Sequence, residues 1–137
     1  MTKSILKRII EDKASFWVQR YDRFNMFCLL IYSKIIVLFV SKIRNVKIHN
    51  HCQFYGIPHF RRFPFSSISI GENCIFRSDH TSNLIGVNHK CILSTHSKEA
   101  RIVIGNNSGF SGTSIGAEKE IRIGNNVLVN KLNYHKF

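Results

Sequence analysis

Acidic residues are scarce in this chain. Eight Asp and Glu stand against 20 Lys and Arg, a formal net charge of +12 over 137 residues. The deficit turns attention to anionic partners, and it is lopsided. Residues 1–62 hold 12 Lys and Arg against 3 acidic residues, and residues 63–137 hold 8 against 5. An anionic partner or surface near the N-terminus is one expectation; a solvated basic face is the other. No CxxC pair occurs. Cys28, Cys52, Cys74 and Cys91 stand 24, 22 and 17 residues apart, which argues against a zinc site and leaves free thiols in a reducing cytosol. No small-residue cleavage site follows the Lys-rich start, so a cleavable signal peptide is not expected. No apolar run reaches the ~20 residues that a spanning helix needs. No zinc-finger, helix-turn-helix or RNA-binding-sheet signature accompanies the basic charge, so nucleic acid is not an expected partner. After residue 45 no long helical pattern appears.

What is present divides the chain into residues 1–45, 46–129 and 130–137. Hydrophobic residues make up 44%, enough for a core within one domain. The first segment is basic and helix-compatible. Its apolar run, Met26 to Val40, is broken by Ser33 and Lys34, with Arg20, Arg23, Lys42 and Arg44 around it. Phe24, Phe27, Ile31, Ile35, Leu38 and Phe39 recur at helical spacing. Phe27, Ile31, Ile35 and Leu38 are therefore expected on the buried face. Two settings fit that face: packing on the following domain or another subunit, or peripheral contact with an anionic membrane.

From Val46 the pattern changes to short strands and turns. Val46-Lys47-Ile48 reads as a strand, and Phe54-Tyr55-Gly56-Ile57-Pro58 leads into a Gly/Pro corner. Five Ile-Gly pairs follow, at Ile70, Ile85, Ile104, Ile115 and Ile123. Ile102-Val103-Ile104-Gly105-Asn106-Asn107 returns 19 residues later as Ile121-Arg122-Ile123-Gly124-Asn125-Asn126, and Ile85-Gly86 precedes Ile104-Gly105 by the same 19. A recurrence near three hexapeptides predicts coils of a parallel β-helix, with inward aliphatics and corners of Gly and Asn that tolerate positive φ. Gly-Asn-Asn is also hairpin chemistry, but hairpins reverse a register and do not repeat it. Ile70, Ile104, Phe110, Ile115 and Ile123 are expected inside, with Cys74, Phe76, Ser78, Cys91, Leu93 and Thr95 continuing inward positions. Asp79 to Asn83 is expected to bulge outward. Asn106, Asn107, Asn125 and Asn126 read as corner residues.

These phrases, with Ile68-Ser69-Ile70-Gly71-Glu72-Asn73 and Gly109-Phe110-Ser111-Gly112, make residues 46–129 resemble the hexapeptide-repeat acyltransferases, in their sugar and polysaccharide O-acetyltransferase branch. The resemblance implies a mainly β fold, a left-handed parallel β-helix preceded by an N-terminal helical segment. It implies acetyl transfer from acetyl-CoA to a saccharide hydroxyl, in a homotrimer with active sites between neighbouring prisms. It requires no metal. A cytoplasmic protein, at the inner face of the membrane if the first segment binds lipid, follows. In such enzymes a His removes the proton from the acceptor hydroxyl, worth typically ~10²–10⁴-fold, and backbone N–H groups stabilise the oxyanion.

The chain departs from that pattern at its end. The family's general-base His follows roughly one coil after an Ile-Gly-Asn-Asn phrase, often in an Asp-x-x-His context. Counted from Gly124 it falls at about position 140, beyond Phe137. A truncated member is the resulting expectation, and an inactive β-helix acting as a binding or membrane-associated module is the alternative. His135, only 11 residues after Gly124, is the candidate substitute base, although a tail His is ordinarily exposed. His80, His89 and His96 read as loop or corner residues, and His49, His51 and His59 come too early. Ser111 falls where related enzymes place a polar residue facing the acceptor; a corner Ser between Gly109 and Gly112 is the competing reading.

Overall fold

The structure is a computed structural model, and it describes residues 6, 7, 10, 13–79, 81, 87 and 89–130. One long helix comes first, α1 (Lys13–Arg44). No Gly or Pro interrupts it. Its end is written in the next two residues. Asn45 takes φ 54°, its N–H reaches Lys42 O (3.4 Å), and Val46 N–H reaches Ser41 O at 2.9 Å. That is the Schellman pattern with Asn in the left-handed position. Lys42 and Arg44 lie in the last turn, where the helix dipole favours cations.

The chain then winds in coils. The first coil holds β1 (Lys47–Ile48), β2 (Gln53–Tyr55) and β3 (His59–Arg61). The second holds β4 (Ser67–Ile70), β5 (Ile75–Arg77) and β6 (Ile92–Thr95). The third holds β7 (Arg101–Ile104), β8 (Gly109–Ser111) and β9 (Ser114–Ala117). The described residues end in β10 (Glu120–Ile123) and β11 (Leu128–Asn130). Every pairing is parallel and joins one coil to the next, giving the faces β1-β4-β7-β10, β2-β5-β8-β11 and β3-β6-β9. This is a parallel β-helix.

In-register winding places like on like. Phe54, Phe76 and Phe110 form one interior stack, with ring centroids 5.4 and 5.1 Å apart and planes within 10° and 18°. Ile70, Ile104 and Ile123 form a second column, and Phe60, Leu93 and Ile115 a third. All are buried except Ile123, which is partly buried on the last coil. Cys74, Phe76, Ser78, Cys91, Leu93 and Thr95 are buried as the alternation required.

Two details of the repeat differ from the sequence expectation. First, the stacked Ile residues are not evenly spaced. Ile48, Ile70, Ile104 and Ile123 stand 22, 34 and 19 residues apart. Because β4 pairs directly with β7, no coil carrying Ile85-Gly86 lies between them on this face; Ile85 and Gly86 fall outside the described residues. Ile115-Gly116 lies within β9, on another face. Second, Gly and Asn divide the corner between them. Asn73, Asn107 and Asn126 carry the positive φ (55°, 59° and 59°), whereas Gly71, Gly105 and Gly124 do not. Gly is needed there for closeness. A Cβ on Gly105 would sit 2.5 Å from Asn125 Oδ1 and 2.7 Å from the Gly124 carbonyl carbon, and Gly71 meets Asn106 and Gly105 in the same way. Asn106 Oδ1 accepts from Glu72 N–H (2.9 Å), and Asn125 Oδ1 accepts from Asn106 N–H (2.7 Å). The corner asparagines are rungs that join coils.

The helix also turns a different face inward. Ser33, Val37 and Ser41 are its buried residues, flanked by half-buried Met26, Leu30 and Val40, and they pack chiefly against β2. Phe27, Ile31, Ile35 and Leu38, expected to be buried, are exposed. Small side chains let the helix backbone approach the prism, and Ser33 Oγ accepts a hydrogen bond from Gly56 N–H at 2.9 Å.

Candidate functional site

The corner after the second face is where the prism departs most from regularity. In the first coil it is made by Gly56, at φ 89°. In the second, the chain leaves the prism at Asp79 and returns at Cys91. In the third it is made by Ser111-Gly112, with Gly112 at φ 53°. Ser78 Oγ accepts from Cys91 N–H at 3.1 Å and closes the base of the outward excursion. Asp79 Oδ1 accepts from Thr81 N–H (2.8 Å) and Thr81 Oγ1 (2.6 Å), a local turn that starts it. Two atoms near the return of this excursion lie against the next coil. A Cβ on Gly112 would meet His89 O and Val87 Cγ1, each at 3.3 Å. Of the expected bulge over Asp79 to Asn83 only Asp79 and Thr81 are described, and they form this turn; His80, Ser82 and Asn83 lie outside the described residues.

Ser111 is the neighbour of Gly112 in the chain. It is buried, pairs with Arg77 in register, and precedes the Gly112 turn, whose N–H donates to Arg77 O at 3.1 Å. Its carbonyl accepts from Thr113 Oγ1 at 3.1 Å. Phe110 points into the core, so by alternation Ser111 lies on the outward side of β8. It is thus buried at the corner, next to the Gly112 backbone that Val87 and His89 approach.

The histidines are dispersed. His49 Nδ1 lies 2.7 Å from Ile70 O and His51 takes φ 63°, both at the corner between the first and second faces. His59 begins β3 and is exposed. His89 Nδ1 lies 2.8 Å from Lys90 O in the excursion. His80 and His135 lie outside the described residues. Among the described residues no three His, Cys, Asp or Glu side chains gather to hold a metal ion.

His96 has a setting that its sequence position did not reveal. Its Nε2 lies 3.2 Å from Ser94 Oγ. A Cβ on Gly116, in the next coil, would stand 3.2 Å from the same nitrogen. The imidazole thus rests on the bare backbone of β9. Beside it opens a cleft of about 1370 Å³ lined by both charge signs, including Lys98, Arg101, Lys119 and Glu118. The signal was available in principle: Ile115-Gly116 breaks the corner rule of the other Ile-Gly pairs, and its Gly makes room for a ring. The structure does not bring His96 to Ser111, since they lie on different faces.

Three thiols, Cys52, Cys74 and Cys91, are buried. Cys52 Sγ donates to Gly71 O (3.1 Å) and Cys74 Sγ to Gly105 O (3.2 Å), one coil above the other. A side-chain hydrogen bond with Cys74, together with burial, holds the Cys52 thiol well above the usual range, and the same contact draws the Cys74 thiol down to about 7. Cys28 is exposed on α1, and all four cysteines are free. No protein-family model, curated protein or solved structure matches this chain.

Proposed function

We propose that this chain is the β-helix of an O-acetyltransferase that takes acetyl-CoA as donor and a saccharide hydroxyl as acceptor. The observation that carries the reading is the irregular corner. A parallel β-helix built on Ile-Gly-Asn-Asn rungs interrupts its second coil between Asp79 and Cys91, and Val87 and His89 of that segment return against Gly112 of the next coil. A smooth prism has no concavity for a ligand; an excursion folded against a face makes one. On this reading the coils wind left-handed, Ser111 faces the acceptor, and the chain assembles as a homotrimer with acceptor sites between prisms. Free thiols suit a reducing cytoplasm.

The acceptor hydroxyl needs a base, because an alcohol is a weak nucleophile at neutral pH. The proposal puts that base roughly one coil beyond Gly124, at about position 140. Residues 1–137 alone are then expected to transfer acetyl groups slowly. The test compares this chain with one extended by a coil carrying Asp-x-x-His, using acetyl-CoA and a panel of saccharides. The extension is expected to raise the rate roughly 10²–10⁴-fold, and Ser111→Ala to weaken acceptor use in the extended chain. Robust transfer by residues 1–137 that His135→Ala abolishes would move the base to His135. No transfer by either chain would leave the β-helix as a binding module.

A further inference from the structure

The prism-bound face of α1 carries its small residues, and the outward face carries its large apolar ones. Trp17, Phe24, Ile35 and Phe39 are each about two thirds exposed, at 65%, 64%, 65% and 65%. They belong to a continuous outward stripe at i+3/i+4 spacing, in which Phe24, Phe27, Ile31 and Ile35 are the middle and Trp17 and Leu38 stand towards the ends. The same stripe ends on cations: Lys13 and Arg20 at one end, Lys42 at the other. The one acid of the helix, Asp22, lies on the opposite side.

We propose that this face of α1 lies flat on an anionic lipid bilayer, its apolar stripe in the acyl boundary and its terminal cations among the head groups. Three observations select this occupant. By length and composition α1 could cross a membrane, but its prism-side face is engaged by β2 and by the Gly56 N–H to Ser33 Oγ bond. Spanning would strip that packing away, whereas lying flat keeps it. An interfacial helix is defined by an apolar face with Trp inserted and Lys or Arg at its borders, and this stripe has that composition. A second copy of the chain is disfavoured, because the face would meet its own Lys13, Arg20 and Lys42 on a molecule of net charge +12. Anionic head groups complement those charges, and the long basic side chains can reach them while their stems cover apolar surface.

Trp17 is the only tryptophan, so its emission reports the stripe without a label. The full chain is titrated with vesicles of phosphatidylcholine alone and with about one third phosphatidylglycerol. A saturable blue shift is expected with the anionic vesicles, weakened by salt, together with protection of Cys28 from maleimide. Arg20→Gln with Lys42→Gln should weaken partitioning roughly thirtyfold, at about one kcal/mol per basic residue near the surface. Phe24→Asp with Ile35→Asp, at positions exposed in the fold, should abolish the shift without changing the circular dichroism. No shift with anionic vesicles, or an equal shift with neutral ones, overturns the proposal. Cys28 protected without lipid and released on dilution also overturns it, assigning the face to a second copy. None of these readouts involves acetyl transfer, so they stand or fall apart from the enzymatic reading.

Discussion

At the scale of single residues, the Ile-Gly-Asn-Asn phrase is a distance constraint before it is a conformational one. Gly105 has a neighbouring backbone where its Cβ would go, while Gly124, in the same phrase one coil later, has nothing among the described residues within 4 Å. Gly105→Ala is therefore expected to cost about 1–3 kcal/mol, as overpacking against backbone does. Gly124→Ala should stay within about 0.5 kcal/mol. Urea midpoints of the two variants check this, and equal losses would mean that backbone freedom, not closeness, fixes the glycine. The thiols give a second residue-scale outcome. Cys52, Cys74 and Cys91 are buried donors to carbonyls of the next coil, those of Gly71, Gly105 and Phe110. One thiol per folded chain should react rapidly with Ellman's reagent, four after denaturation, and none rapidly in folded Cys28→Ala.

At the scale of elements, α1 is held by few contacts of high geometric quality. The Schellman end at Asn45 aims the chain into β1, and Ser33 supplies the acceptor for Gly56 N–H. Ser33→Ala removes the hydroxyl with little change of volume and leaves that N–H without its acceptor, which should cost about 1–3 kcal/mol. The loss should show first as faster hydrogen exchange at Gly56 and over α1, with the prism unaffected, because the coils are paired to one another and not through the helix. The helix itself was legible in the sequence; its orientation was not. Periodicity locates an apolar stripe and cannot say what lies against it. Here Ser33, Val37 and Ser41 fit closer to the prism than the phenylalanines can, so the larger residues turn outward.

At the scale of the whole molecule, strength lies in columns that run along the prism, such as the Phe54-Phe76-Phe110 stack. Phe76 has a ring on either side, and Phe76→Ala should cost about 3–5 kcal/mol, measured by thermal or urea unfolding. The loss should spread through all coils, since each solenoid turn is stabilised by its neighbours. The proposed homotrimer is checked by sedimentation. Three copies of the 15.9 kDa chain give roughly 48 kDa, and a monomeric species at micromolar concentration would remove the intersubunit site from the proposal.

The sequence by itself determined the coil. Ile-Gly-Asn-Asn writes an inward side chain, a close approach, an amide that bonds the neighbouring coil and a left-handed residue at four successive positions. It also determined which side chains enter the core after residue 66, because alternation and corners fix direction. Only the tertiary structure decided which coils are neighbours. Ile70 stacks under Ile104 across 34 residues because the hydrogen-bond ladder passes over the excursion between Asp79 and Cys91, and a register search by spacing would have inserted Ile85 there. It likewise decided that this excursion returns over Gly112 and that His96 rests on Gly116. Contacts of that kind join positions about 20 residues apart through space, and nothing local in the chain encodes them.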